Sequence, residues 1–166
     1  MTTIAVRDGV IAADSQATYA TSRHQCVKLY RKSITEGRKT FDVVIATAGE
    51  VSPGLVFVDW YGTGKTIPEV LLHLGGDFLC LVLRHDGLFE VDVYCRPDRV
   101  IDYDRLGFYA IGSGSDAALG AMHAGKGAVE AVRIAARIDT YTGGKVESMT
   151  IDKPEVKPRS KRKPVA

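Results

Sequence analysis

Residues 2–18 of this chain read TTIAVRDGVIAADSQAT, and they contain the clearest structural signal in the sequence. Two short apolar stretches, TIAV and VIAA, flank the dipeptide Asp8-Gly9. An Asp-Gly dipeptide tolerates the positive φ angles of a two-residue hairpin turn. The stretch therefore predicts a β-hairpin, with Thr2 as the first residue of its first strand.

Beyond this hairpin, groups of strands alternate with pairs of helices. The apolar patterns and turn residues predict further extended stretches at residues 26–30, 43–46, 77–83, 88–94, 108–111 and 146–151. They predict helices within residues 54–73, with a break at 62–64, and then from residue 116 to a break at 125–127 and from 128 to 138. This order favours antiparallel sheet packed between helical layers over a doubly wound parallel sheet.

Local signals refine three of these helices. Pro68 is placed as an early residue of the second helix, where its missing N–H costs nothing. Ser115 or Asp116 is predicted to cap the third helix. The buried face of the fourth helix is predicted at Val129, Val132 and Ala136.

Composition separates a globular domain, residues 1–152, from a basic tail, residues 153–166. The tail holds six basic residues, one acidic residue and three of the six prolines, so we predict that it is disordered. The net charge of +2 over 166 residues therefore conceals a domain with 16 basic and 19 acidic residues. A basic tail can bind nucleic acid or an acidic partner through charge alone. The domain lacks interleaved aromatic and basic residues, which argues against nucleic-acid binding, and a merely solubilising tail is the favoured reading.

Cysteine, histidine and hydropathy patterns exclude several classes of protein. Cys26, Cys80 and Cys95 are odd in number and widely spaced, which fits reduced thiols in the cytoplasm. The four histidines are scattered, so no metal is expected, and no cofactor is expected either. No apolar run has the length of a membrane span, and the start of the chain lacks the pattern of a secretory signal. We therefore predict a cytoplasmic protein that does not enter a membrane.

One phosphate-binding signal is discounted. Gly64-Lys65-Thr66 matches the end of a nucleotide-binding loop, but that motif requires a glycine where this chain has Asp59. A carboxylate at this position would repel phosphate. Lys65 is therefore interpreted as a solvated lysine.

Six stretches, in order along the chain, together resemble the proteasome β-subunit family. They are TTIAV (2–6), ADSQAT (13–18), VKL (27–29), AG (48–49), AIGSGS (110–115) and DTYTGG (139–144). The second stretch is most similar to the bacterial HslV branch, and the short chain with hybrid motifs resembles the betaproteobacterial proteasome homologues. The resemblance implies an α+β fold, the four-layer αββα sandwich of N-terminal nucleophile hydrolases. It also implies a homo-oligomer, a stacked double ring of six or seven subunits per ring.

The resemblance implies a threonine-type endopeptidase whose nucleophile is Thr2, exposed by removal of Met1. A threonine hydroxyl needs a base within reach, and an N-terminal amine with a pKa of about 7.7–8.0 suits that role. Lys28 resembles the family's active-site lysine and Asp14 its partner, since a buried ammonium requires a counter-charge. The implied catalytic set is Thr2, Asp14, Lys28, Gly49, Ser113, Asp139 and Thr142.

Each role in this set follows from a match to the family. Gly49, at a strand-to-helix turn, matches the residue whose N–H stabilises the oxyanion. Ser113 and Asp139 match the pair that orients the terminal amine, and Thr142 stands where the family often has serine. Considered singly, each residue has an ordinary structural interpretation, such as a surface lysine, a turn glycine or a helix cap.

The resemblance also implies a substrate site. Thr18 matches the position whose main chain pairs with the substrate peptide as an added strand. The first specificity pocket is expected to be lined by Cys26, Tyr30, Thr47 and Val51. None of these side chains is charged, which predicts a preference for an uncharged residue before the cleaved bond.

Two substitutions and one short segment depart from the family pattern. Ser15 and Glu50 replace glycines, and the helix pair within 54–73 is short beside HslV, which leaves open whether an ATP-dependent unfoldase docks. Two other functions remain open: a catalytically silent scaffold ring, and an N-terminal nucleophile amidase that acts on a small amide. Ring assembly with cleavage of unfolded protein would separate the peptidase from both.

Overall fold

The N-terminal hairpin is present as predicted in the computed structural model, which describes residues 2–72, 78–85, 89–96, 99–102 and 107–151. Strand β1 (Thr3–Arg7) pairs antiparallel with β2 (Val10–Asp14). Asp8 and Gly9 join them with φ angles of 51° and 76°, as a turn with two positive φ angles requires. Thr2 lies one residue before β1 and not within it, a difference of the size expected at strand ends.

The other strands follow in chain order. They are β3 (Gln16–Tyr19), β4 (Ser22–Gln25), β5 (Leu29–Glu36), β6 (Lys39–Gly49), β7 (Phe78–His85), β8 (Phe89–Arg96), β9 (Arg99–Asp102), β10 (Phe108–Gly112) and β11 (Val146–Thr150). The helices are α1 (Val51–Trp60), α2 (Glu69–Leu72), α3 (Ser115–His123) and α4 (Ala128–Ile138).

Within the described ranges these strands form two main antiparallel sheets and a small hairpin. The first sheet has the order β10-β1-β2-β11, and the second has the order β5-β6-β7-β8-β9. The hairpin consists of β3 and β4. Every pairing is antiparallel, which confirms the sheet type expected from the sequence.

Side chains that alternate along the strands define the layers. In β1, Ile4 and Val6 point between the two sheets, whereas Ala5 packs against α3 and α4. In β6, Val44 points between the sheets, whereas Ile45 packs against the layer of α1 and α2. Each central strand is therefore buried on both faces, and the predicted four-layer αββα sandwich is confirmed.

The helix predictions were partly correct. α1 begins three residues before Gly54, the break at 62–64 is present, and α2 is described from Glu69 to Leu72, with residue 73 of the predicted segment outside the described residues. The predicted cap of α3 was wrong, because Gly114 occupies the N-cap position and no side chain caps the helix. The fully buried face of α4 is Ala128, Ala131, Val132 and Ala135, so Val132 was predicted correctly while Val129 and Ala136 are only partly buried.

Two further differences concern strands. Residues 26–28 are not extended strand, because β5 begins at Leu29 and a short connection from β4 precedes it. The strands β3, β4 and β9 were not among the predicted extended stretches, and β4 could not be recognised by apolar alternation because all four of its residues are exposed. The predicted disorder of residues 153–166 lies outside the described residues and stays a prediction.

Among the described residues, no helix has the length and apolar character needed to cross a membrane. Cys26 is a free thiol. No group of histidine, cysteine or carboxylate side chains in the described ranges is arranged to hold a metal ion.

Candidate active site

Asp14, the last residue of β2, and Lys28, which directly precedes β5, meet in the interior. The Lys28 Nζ lies 2.8 Å from Asp14 Oδ1 and 2.7 Å from the main-chain oxygen of Gln16. Both charged side chains are buried, at 5% and 0% exposure. A buried ammonium is tolerated only with such partners, so the pair that the resemblance implied is present.

The Asp14 carboxylate accepts more than this one bond. Its Oδ1 also accepts from the N–H of Thr3 at 2.9 Å, and its Oδ2 accepts from the N–H groups of Gln16 at 3.1 Å and Gly143 at 3.0 Å. Four donors from four parts of the chain thus converge on one carboxylate. The carboxylate is fixed in position, and it in turn fixes the direction of the Lys28 ammonium.

A second cluster forms where α4 ends. Asp139 Oδ2 accepts from the hydroxyls of Ser113 and Thr142, each at 2.6 Å, and Oδ1 accepts from the N–H of Tyr141 at 3.1 Å. Partial burial alone would raise the pKa of the Asp139 carboxyl, but these three donors outweigh it. The pKa of Asp139 therefore lies below its ordinary value, and Asp139 is a carboxylate at neutral pH.

Thr2 lies directly beside this second cluster. The Ser113 hydroxyl is 3.3 Å from the main-chain oxygen of Thr2, and Thr2 itself is buried. Gly112 allows the close approach, because a Cβ at its position would lie 1.9 Å from the same Thr2 oxygen. Its φ of 95° is also in the region that favours glycine.

Thr3 joins the two clusters. Its N–H donates to Asp14, and its Oγ1 lies 2.5 Å from Oγ1 of Thr142. A continuous path thus runs from Lys28 through Asp14, Thr3, Thr142 and Asp139 to Ser113, with a hydrogen bond at each step between residues. Six of the seven predicted catalytic residues lie on or beside this path: Thr2, Asp14, Lys28, Ser113, Asp139 and Thr142.

Gly49 stands apart from this path. It is the last residue of β6, pairs in register with Phe78 and has a φ of 100°, so it forms the predicted strand-to-helix turn. Two residues earlier, the N–H of Thr47 donates to the main-chain oxygen of Lys28 at 3.1 Å. This bond connects the end of β6 to the Lys28 main chain, and the oxyanion role of Gly49 stays a prediction.

Cys26 and Tyr30 lie on either side of Lys28 in the chain. The Cys26 N–H donates to the main-chain oxygen of Ser15 at 2.9 Å, and the Tyr30 hydroxyl donates to that of Val27 at 2.9 Å. Burial raises the pKa of the Cys26 thiol, although the nearby Lys28 charge opposes the rise. Burial, and then the neighbouring Cys26, raise the pKa of Tyr30. Both side chains are therefore neutral at pH 7.

The other predicted substrate residues lie on three different elements. Thr18, on β3, accepts a hydrogen bond from the Gln16 amide at 3.2 Å. Thr47, on β6, faces α1, where a Cβ at Gly54 would lie 2.9 Å from its Oγ1. Val51 is the first residue of α1 and is half exposed. A pocket shared by these residues stays a prediction.

Sequence reasoning missed the roles of Thr3 and Gln16. The buried Gln16 amide donates to Thr18 Oγ1 and to the main-chain oxygen of Thr140, each at 3.2 Å, which ties β3 to the turn after α4. Both residues belong to stretches that carry the resemblance. The available signal was a polar residue close to a predicted catalytic residue, since Thr3 follows Thr2 and Gln16 is two residues after Asp14.

The two departures from the family pattern have different surroundings. Ser15 is buried, and its hydroxyl accepts from the N–H of Lys145 at 2.8 Å. Its side chain therefore helps to hold β11 against the start of β3. Glu50 is exposed at the N-cap of α1 and makes no side-chain capping bond there.

Comparison with solved structures places this fold among known proteins. BPH from Thiobacillus denitrificans, solved in complex with epoxomicin, is 21% identical with a TM-score of 0.62, and the match covers 91% of this chain and 98% of BPH. HslV from Trypanosoma brucei is 21% identical with a TM-score of 0.60, covering 90% and 99% of the two chains. Anbu from Pseudomonas aeruginosa, solved as a helical assembly, is 13% identical with a TM-score of 0.60, covering 90% and 80%.

The sequence itself matches no protein-family model and no curated protein. The shared architecture nevertheless defines the class: the chain has the αββα fold of N-terminal nucleophile hydrolases of the proteasome type. Within that class it is similar to the betaproteobacterial homologue BPH and to HslV, so the resemblance seen in the sequence is confirmed at the level of the fold.

Proposed function

We propose that this chain is a threonine-type endopeptidase in which Thr2, freed by removal of Met1, is the nucleophile and its own α-amine is the general base. The observation that carries the proposal is the hydrogen-bonded path that connects the surroundings of Thr2 to the buried Lys28–Asp14 pair. The ordinary structural interpretations of these residues, such as a turn or a surface ion pair, do not require a buried network of this kind.

The proposed reaction uses these groups in order. The Thr2 Oγ1 attacks the carbonyl carbon of the scissile peptide bond and its proton passes to the α-amine, while the N–H of Gly49 stabilises the oxyanion. The tetrahedral adduct collapses as the protonated amine transfers its proton to the leaving nitrogen, which leaves an ester on Thr2. Water, deprotonated by the same amine, hydrolyses the ester and restores the hydroxyl.

Hydrogen-bond directions support the role of Ser113. Because Asp139 is a carboxylate, the Ser113 hydroxyl donates its single proton to it at 2.6 Å. The lone pairs of Ser113 are then available to accept from an amine on Thr2, whose main-chain oxygen is 3.3 Å away. This would direct the lone pair of the amine toward the Thr2 hydroxyl.

Lys28 has an electrostatic role in this proposal. Its ammonium, held by Asp14 and Gln16, brings a positive charge into the interior close to the start of β1. Such a charge favours the deprotonated forms of the Thr2 hydroxyl and amine. Lys28 therefore lowers the cost of forming the alkoxide during attack.

The substrate in this proposal is an unfolded polypeptide or a peptide. The peptide pairs with the main chain at Thr18, and an uncharged side chain before the cleaved bond enters the pocket expected at Cys26, Tyr30, Thr47 and Val51. The neutral state of the Cys26 thiol and the Tyr30 phenol supports an uncharged pocket.

The proposed assembly is a cytoplasmic homo-oligomer, a double ring of six or seven subunits per ring. A helical assembly of the similarly folded Anbu supports oligomerisation, and the exposed apolar side chains of Leu55, Val70 and Leu72 offer surface to bury. An ATP-dependent unfoldase is a further candidate partner.

The decisive experiment uses epoxomicin, which the similarly folded BPH binds. Purified protein is treated with epoxomicin, and peptide hydrolysis and intact mass are measured for wild type, Thr2→Ala and the control Thr35→Ala, which removes an exposed hydroxyl on β5. We expect one covalent adduct and activity in wild type and in the control, and neither in Thr2→Ala. Activity near wild type in Thr2→Ala would refute the nucleophile. A wild-type ring without adduct or hydrolysis would indicate a scaffold.

A further inference from the structure

Thr3 carries a polar group that the proposed chemistry does not use. Its side chain lies in the interior at 0% exposure, where an unpaired hydroxyl is costly. Its Oγ1 is 2.5 Å from Oγ1 of Thr142, a residue 139 positions later in the chain. A bond this short between distant, buried residues indicates a specific contact.

The direction of this bond follows from proton counting. Thr142 has one hydroxyl proton, which it donates to Asp139 Oδ2 at 2.6 Å because that acceptor is charged. Thr142 can then only accept from Thr3. The chain of donors is therefore ordered, from Thr3 to Thr142 to Asp139.

The surroundings of Thr3 keep this order fixed. The N–H of Thr3 donates to Asp14 at 2.9 Å, which holds its main chain in place. Gly114 leaves room for the two hydroxyls, because a Cβ there would lie 2.2 Å from Thr3 Oγ1 and 3.0 Å from Thr142 Oγ1. Any larger residue at position 114 would push the hydroxyls apart.

We propose that Thr3 is a positioning residue for catalysis, whose hydroxyl fixes the Thr142 proton toward Asp139 and so holds the Asp139 carboxylate where it orients Ser113 beside Thr2. This inference rests on the proposed function and adds a residue to it. Thr3 does not touch substrate or the reacting atoms, and it acts through Thr142.

The same path connects the two halves of the site. Thr3 contacts Asp14 through its main chain and Thr142 through its side chain. A shift of β1 therefore moves both the Lys28–Asp14 pair and the Asp139 cluster. Thr3 therefore fixes the position of the Thr2 α-amine, the proposed general base, relative to the Lys28 ammonium.

The kinetic test compares three variants. Thr3→Val keeps the shape but removes the hydroxyl, Thr3→Ser keeps the hydroxyl, and Thr35→Val is a control that breaks an exposed hydroxyl pair, 3.0 Å to Thr40. We expect Thr3→Val to lower kcat about 10- to 100-fold, a part of what base catalysis contributes, with KM nearly unchanged. Thr3→Ser should restore most of kcat, and Thr35→Val should match wild type.

A double-mutant cycle tests whether Thr3 acts through Thr142. In a Thr142→Val background, Thr3→Val should change kcat by less than about twofold, because the acceptor of its proton is already gone. Full additivity of the two losses, or a Thr3→Ser variant as poor as Thr3→Val, would overturn the proposal. If Thr3→Val does not fold, Thr3→Ala takes its place in the comparison with Thr3→Ser.

A second measurement does not depend on activity. The Asp139 carboxyl is titrated by NMR with ¹³C-labelled aspartate, and its pKa should rise toward the ordinary value in Thr3→Val but stay low in Thr3→Ser and Thr35→Val. An unchanged pKa in Thr3→Val would refute the inference. If the pKa moves as expected but wild type cleaves no peptide, the ordering by Thr3 stands and the proposed endopeptidase fails.

Discussion

Lys28 and Asp14 form a buried ion pair in which the two partners are unequally supported. Beyond their mutual bond at 2.8 Å, Asp14 accepts hydrogen bonds from three main-chain N–H groups. The Lys28 ammonium has one other described hydrogen bond, to the main-chain oxygen of Gln16. Without the lysine, the buried carboxylate would still accept hydrogen bonds from three N–H groups. Without the aspartate, the buried Lys28 ammonium would lose its counter-charge and keep only the bond to the Gln16 oxygen.

This asymmetry predicts unequal costs of mutation. Asp14→Ala should lower the free energy of unfolding by about 3–5 kcal/mol, because it leaves an uncompensated buried charge. Lys28→Met should cost about 1–3 kcal/mol, since three donors still satisfy the carboxylate. Urea unfolding measures both values.

The control for this comparison is the ion pair between Arg31 and Asp42, which is 3.5 Å long and exposed at 45% and 43%. Asp42→Asn should cost about 1 kcal/mol or less. A larger loss for Lys28→Met than for Asp14→Ala would contradict the unequal support inferred here. Both variants of the buried pair should also lose nearly all peptide hydrolysis.

The sequence predicted the parts of this molecule that depend on local pattern. The Asp8-Gly9 turn followed from backbone sterics, and the buried run at 43–46 followed from its apolar residues. The family resemblance supplied the residues now joined by hydrogen bonds around Asp14 and Asp139. These predictions needed no knowledge of the three-dimensional arrangement.

Other features depend on contacts between residues far apart in the chain, and such contacts cannot be predicted from the local pattern of a single sequence. Gly114 replaces the predicted side-chain cap of α3 because Thr3, more than a hundred residues earlier, occupies the space that a side chain would need. Gln16 matters because Thr140 folds back onto it. Hydrogen-bond partners of this kind become visible only when the sheets and the turn after α4 are assembled.

The contact between Gly112 and Thr2 gives a prediction about backbone packing. Gly112→Ala would place a Cβ 1.9 Å from the Thr2 main-chain oxygen at a φ of 95°. We expect it to cost about 2–5 kcal/mol, from left-handed strain and overpacking together, and to reduce peptide hydrolysis because Thr2 must move. Thermal or urea unfolding measures the first effect.

Gly37→Ala is the matched control for Gly112→Ala. Gly37 has a φ of 62°, but a Cβ there would meet nothing within 4 Å. The cost should therefore be the backbone term alone, about 1–2 kcal/mol, with normal activity. Equal effects of the two substitutions would show that the approach of Thr2 to Gly112 does not constrain the site.

The lowered pKa of Asp139 gives a pH-dependent prediction. Because the folded-state pKa lies below the unfolded one, Asp139 contributes stability above the ordinary carboxyl pKa of about 3.9 and loses it as pH falls through the folded value. Asp139→Asn should therefore destabilise the protein at neutral pH, and the difference from wild type should shrink below about pH 3.9. Unfolding measured at several pH values tests the sign. A difference that grew with acidity would contradict the hydrogen-bond pattern around Asp139.

Maturation separates an N-terminal threonine enzyme from other hydroxyl-dependent hydrolases. Thr2 is small enough for an aminopeptidase to remove Met1, and only then does a basic amine stand beside the hydroxyl. With Met1 retained, that nitrogen is an amide without useful basicity, so the proposed general base does not exist. We therefore expect active preparations to begin at Thr2 in mass spectrometry.

The matched experiment prevents removal of Met1 without altering the folded domain. Inserting a large residue between Met1 and Thr2, such as lysine, blocks the aminopeptidase and leaves Thr2 in an internal peptide bond. This variant should be folded but inactive, and it should form no adduct with epoxomicin, since the ring-forming reaction of a peptide epoxyketone consumes both the hydroxyl and the free amine of a terminal threonine. Inserting instead a cleavable leader whose removal exposes Thr2 should restore both activity and adduct. Full activity in protein shown by mass to retain residues before Thr2 would refute the α-amine as base, even if Thr2→Ala were inactive, because the hydroxyl would then be activated by another group.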